Sequence, residues 1–132
     1  MPLMIDDYRI NWALRYIREA EADISAAEKI PMPAMVISLS LQAMRKSQTA
    51  VYYSLGDPQY LAPLIHQNIE DERKVNDILM RILIQIEQSI ERDSSQAENL
   101  GKTAIIEDAR RLLEIASEIV SIMVKKSEES PA

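Results

Sequence analysis

Residues 33–56 read PAMVISLSLQAMRKSQTAVYYSLG, and the spacing of this stretch decides the fold. At 3.6 residues per turn Val36, Leu39, Ser40, Ala43, Ser47, Ala50, Val51 and Ser54 share one helix face, and Ile37, Leu41, Met44, Tyr52 and Leu55 widen it on one side. An arc this broad exceeds what a helix resting on a core needs. Its centre is small, so another backbone can come close there, while the bulky flank is left for a third helix or a second subunit. Arg45 points away from the small-residue face and belongs on the surface. The stretch therefore predicts the central helix of a bundle.

Working toward the N-terminus, Asp6 or Asp7 caps a predicted first helix that runs to about Lys29. Its apolar stripe is Ile10, Ala13, Leu14, Ile17, Ala20, Ile24 and Ala27, with Tyr8, Trp12 and Tyr16 to one side. Those aromatics either lock the helix to its neighbour or form a hydrophobic edge used in assembly. The break at Ile30 to Pro33 turns the chain into an antiparallel hairpin, with Pro33 suited to the first helical turn.

Toward the C-terminus, Gly56 stops the central helix, and Asp57 followed by Pro58 starts the next. A third helical region reaches about Arg92, with Leu61, Leu64, Ile65, Val75, Leu79, Ile82, Leu83, Ile86 and Ile90 on a broad face. Unbroken it would be about 50 Å long, so a break is expected between His66 and Asp71. Ser95 and Glu98 have capping-box spacing for a final helix, whose inward stripe is Ile105, Ala109, Leu112, Leu113, Ala116, Ile119, Val120 and Met123. Glu107 and Arg111 are spaced for an exposed ion pair. The tail KKSEESPA is polar, and residues 127–132 are expected to fray. The resulting fold class is all-α: an antiparallel four-helix bundle in one domain, residues 1–126, with the third helical region broken in two.

Composition agrees. The chain has 132 residues, enough for one domain with a real core, and only 2 glycines. A net charge of −6 argues against broad binding to nucleic acid or acidic membranes. With no cysteine there is no disulfide, thiol nucleophile or thiolate metal site, as suits a reducing interior and a cytoplasmic location. The start MPLMIDDYRINW has neither a basic leader nor a sustained apolar run, and charges interrupt every apolar stretch before membrane-spanning length.

Chemistry is sparse. His66 is the sole histidine, and His66 with Glu70 lacks the second histidine of a helical zinc site and the paired acidic motifs of a di-iron bundle. Glu72 and Asn76 fall within the apolar arc and require partners if buried; with His66 and Arg73 they make a candidate ligand site or polar network. No glycine-rich phosphate loop is present. The basic pairs Arg45/Lys46, Arg73/Lys74, Arg110/Arg111 and Lys125/Lys126 are interleaved with acids and read as solvated helix surface.

The strings RYIREAEADISAAEKI and MVISLSLQAMRKSQTAVYYSLG, separated by a short break, resemble the opening helices of HEPN domains. Glu21, Asp23, Ala26 and Ala27 correspond to the first of those helices, and Ala43, Arg45, Lys46 and Ala50 to the second, over about Leu14 to Gly56. The resemblance implies an all-α bundle, dimerisation, and either RNase activity or a nucleotide-related role beside a nucleotidyltransferase partner. Catalytic members carry an arginine followed four to six residues later by histidine in a late helix. Here no histidine follows Arg110 and Arg111. The resemblance thus points to a diverged, noncatalytic member.

These readings lead to an expected homo-oligomer, a dimer in the first instance, acting as a noncatalytic binding or regulatory domain. Its candidate interface is Tyr8, Trp12, Tyr16, Ile37, Leu41, Met44 and Tyr52. No catalytic residue, metal or membrane partner is expected, and a nucleotide is the only cofactor candidate. The alternatives are a diverged HEPN-like RNA-processing enzyme and, behind it, a metal-dependent bundle enzyme.

Overall fold

A computed structural model describes residues 7–68 and 77–129. Among the described residues five helices follow in order: α1 Asp7–Lys29, α2 Pro33–Leu55, α3 Pro58–Asn68, α4 Ile78–Ser95 and α5 Lys102–Glu129. This is the expected all-α bundle with its third helical region in two pieces. α2 lies at the centre, with its closest backbone approaches to α1 and α5 and lesser ones to α3 and α4.

Small residues repeated every seventh position explain the tight α1–α2–α5 unit. Ala13, Ala50 and Ala116 belong to one core layer, Ala20, Ala43 and Ala109 to the next, and Ala27, Val36 and Ile105 to the third. Steps of seven in all three helices except the last step of α5 keep the small faces in register, as in shallow-angle helix packing. Ser40, Ser47 and Ser54 follow the same interval and are buried. Ser47 and Ser54 satisfy their hydroxyls within α2 by donating to the Ala43 and Val51 carbonyls.

α4 is held differently. Leu83, Ile84, Ile86 and Ile90 are large, buried side chains, so α4 packs through long aliphatic groups rather than close backbones. Each such side chain is worth about 2 kcal/mol of burial. Asp77 caps its start by accepting from the Met80 amide at 3.1 Å.

Several boundaries and burials differ from expectation. Ser95 does not cap the final helix; it ends α4, where its hydroxyl donates to the Arg92 carbonyl. Gly101 instead precedes α5 and accepts from the Ile105 amide, a role that avoids the cost of glycine inside a helix. α3 ends at Asn68, within the expected break, and α5 runs to Glu129. Leu14, Leu64 and Leu79, all assigned to inward stripes, are exposed. Arg111 is near Asp108, at 3.8 Å, in place of the expected pairing with Glu107.

Candidate functional site

The most organised polar cluster joins α2 to α4. Glu87 stands one turn after Leu83 and three residues before Ile90, so the apolar stripe of α4 carries it inward to 3% exposure. Gln48 and Tyr52, one turn apart on α2, meet it from the other side. Gln48 Nε2 donates to Glu87 Oε1 at 2.8 Å and to the Tyr52 hydroxyl at 3.0 Å. Arg45 Nη1 donates to both Glu87 oxygens, at 2.9 and 3.1 Å, and to Gln48 Oε1 at 2.9 Å.

The electrostatics follow from this geometry. Burial pushes the Glu87 carboxyl upward, but the hydrogen bonds from Gln48 and Arg45 and the arginine charge outweigh it, leaving the group below its ordinary value. Burial first, and then the Glu87 charge, pushes the Tyr52 hydroxyl up to about 12. At neutral pH the cluster is an ionised carboxylate surrounded by donors and a protonated phenol. It holds α4 in register on α2.

Beside the cluster is a slot of about 430 Å³, lined by Leu41, Ile90, Ser38, Gln42, Ser94 and the stems of Arg45 and Lys46. Both cations at its rim are already partnered. Arg45 is paired with Glu87, while Lys46 Nζ reaches Asp23 at 2.9 Å and Glu19 at 3.7 Å on α1. The hydrogen bond with Asp23 raises the Lys46 pKa, against a smaller opposing effect of burial. An apolar floor with a neutralised rim suits a protein surface better than a phosphate group.

The expected interface residues are dispersed by the fold. Met44 and Tyr52 are buried at 1% and 6% exposure and serve the chain's own core, because α4 occupies the bulky flank of α2. Ile37 and Leu41 are half-buried. Tyr8 is exposed, and Trp12 and Tyr16 are half-buried in a ladder with Tyr53. Trp12 and Tyr16 stack on Tyr53 with ring centroids 6.2 and 5.8 Å away, and the Arg15 guanidinium lies 5.1 Å from the Trp12 ring centre. Trp12 and Tyr16 therefore join α1 to α2 through Tyr53.

His66 is exposed on α3, while Glu72, Arg73 and Asn76 lie outside the described residues. No group of three or more metal-ligating side chains occurs among the described residues, and no helix there is long and apolar enough to cross a membrane. No family description, curated protein or solved structure matches this chain.

Two buried acids escaped the sequence reading although their spacing marked them. Glu87 and Asp93 both extend the stripe Leu83, Ile86, Ile90 at intervals of three or four, which places them on its buried side.

Proposed function

We propose that this chain is a noncatalytic binding or regulatory domain that works as a homodimer, with the second copy seated on the exposed face of α2. The observation that carries the reading is the distribution of charge: none of the chain's 21 acidic residues lies in α2. Two copies, each carrying −6, repel wherever acids face one another, and the exposed face of α2 brings no acid of its own to such a contact.

The pattern of that face supports the reading. Met35, Ser38, Gln42 and Arg45 are exposed and follow one another at intervals of three, four and three, the spacing of a helix–helix seam. Leu41 and Ile90 add the apolar floor of the adjoining slot. Arg45 brings its own counter-ion, so covering it leaves no charge without a partner. The same neutralisation leaves a nucleotide out of this reading.

Light scattering over a range of concentrations tests it, with Gln42→Glu as the variant. The expected result is a concentration-dependent dimer that dissociates at higher concentration in the variant, because a two-fold contact sets the new carboxylates near each other. A monomer at every concentration, or a dimer indifferent to Gln42→Glu, refutes the proposal.

A further inference from the structure

Asp93 is the acid that the α2–α4 cluster does not use. It stands on α4 at 1% exposure, and its Oδ2 has no hydrogen-bond partner among the described residues. A buried carboxylate in that condition is costly, so its surroundings must supply either a counter-charge or a proton.

The counter-charges are poorly placed. From α4, Arg92 Nε reaches Asp93 Oδ1 at only 3.4 Å, with its side chain mostly in solvent. From α5 come Asp108, which lines the same pocket as Asp93, and Arg111, which is 3.8 Å from Asp108 and also exposed. From α2 only Met44 reaches this pocket, and it is uncharged. Both ion pairs exceed the length of a good charge-assisted hydrogen bond. The pocket is small, about 80 Å³, and Leu112 and Ile115 form apolar parts of its wall.

We propose that Asp93 and Asp108 form a proton-operated latch between α4 and α5. A single proton held between the two carboxyls closes the seam, and its release to solvent leaves two like charges facing each other and loosens the C-terminal half of α4. The backbones of α4 and α5 are not among the closely approaching pairs, so this seam depends on side chains and can yield without disturbing the alanine-packed unit. The direction of the Asp93 shift agrees: burial first, and then the Asp108 hydrogen bond and charge, raise it to about 6.

The test is denaturant unfolding of the wild type, Asp93→Asn and Asp108→Asn at about pH 4 and about pH 7.5. Either amide replaces the shared proton with a permanent donor. Both variants should therefore match the wild type closely at the lower pH. At the higher pH each should exceed it, by up to about a hundredfold in the folding equilibrium constant. Hydrogen exchange of the amides around Ile90 to Ser94, corrected for intrinsic rates, should be slower in the variants at the higher pH only. Wild type and variants that shift in parallel between the two conditions overturn the proposal. Should neither variant fold, carboxyl NMR of the wild type decides it: titration of Asp93 in the ordinary aspartate range overturns the latch, and titration well above that range supports it.

Discussion

Arg45→Ala separates a register clamp from an ornamental surface ion pair. In the native chain one guanidinium nitrogen is within 2.9 to 3.1 Å of both Glu87 oxygens and within 2.9 Å of Gln48 Oε1. Removing it leaves the Gln48 amide as a remaining donor to Glu87, at 2.8 Å, but takes away the counter-ion of a buried charge. Breaking a fully buried pair costs about 3 to 5 kcal/mol and breaking an exposed one about 0 to 1. Since the Arg45 side chain is 50% exposed and that of Glu87 4%, the loss should fall between, at about 2 kcal/mol. That is about thirtyfold in the folding equilibrium. Urea unfolding at neutral pH measures it, and a cycle with Glu87→Gln should return a coupling of at least about 1 kcal/mol. Replacing the whole cluster, Arg45→Met with Gln48→Leu, Tyr52→Phe and Glu87→Leu, should cost less than Arg45→Ala alone, because it strands no charge. A loss below about 0.5 kcal/mol for Arg45→Ala, or a cycle with no coupling, would refute the argument.

Two further substitutions probe the backbone and the alanine layers. Gly56→Ala should cost less than about 1 kcal/mol: the residue is extended at φ 171°, and an added methyl would meet Leu61 at an ordinary 3.7 Å. A larger loss by thermal unfolding would contradict that geometry. Ala43→Leu should cost about 1 to 3 kcal/mol or more, because Ala43 is fully buried in the layer that also holds Ala20 and Ala109. An unchanged denaturation midpoint would mean that α1, α2 and α5 do not meet as closely as described.

The elements that could be read from sequence are those whose pattern has one physical solution. The small face of α2 admits only a close helical neighbour, and every position assigned to it is buried except Leu39, which is half-buried. Pro33, Gly56 and Pro58 likewise left little choice for the α1–α2 hairpin and the turn into α3. The capping box at Ser95 misled because local spacing cannot register that Gly101 suits a helix start better than a helix interior. The candidate site was less legible for a different reason. Arg45 was correctly placed on the surface, yet its partner Glu87 lies 42 residues away on another helix, a distance that periodicity does not bridge. The position of Tyr8, Trp12 and Tyr16 beside the α1 stripe allowed either packing or assembly, and periodicity could not show that Trp12 and Tyr16 meet Tyr53 of α2.

α4 carries two buried carboxyls whose protons act in opposite senses, and this sets the pH response of the molecule. Glu87, facing α2, lies below its ordinary value, so its contribution is present above the normal carboxylate range and is lost as pH falls through the folded-state value. Asp93, facing α5, is raised to about 6, so its contribution is complete below the unfolded value of about 3.9 and is lost as pH rises through about 6. The two windows overlap only on the acid side of neutrality. Stability should therefore peak at about pH 4 and decline toward about pH 6, rather than hold a plateau around pH 7. The net charge of −6 pushes the same way, since repulsion grows as carboxyls ionise, but it acts on wild type and Asp93→Asn almost equally. Urea midpoints should fall between about pH 4 and about pH 6 in the wild type, level off above that, and fall distinctly less in Asp93→Asn. A wild-type midpoint that keeps rising to neutral pH would show that Arg92 and Arg111 neutralise the α4–α5 seam after all, and that both edges of α4 are held by ion pairs.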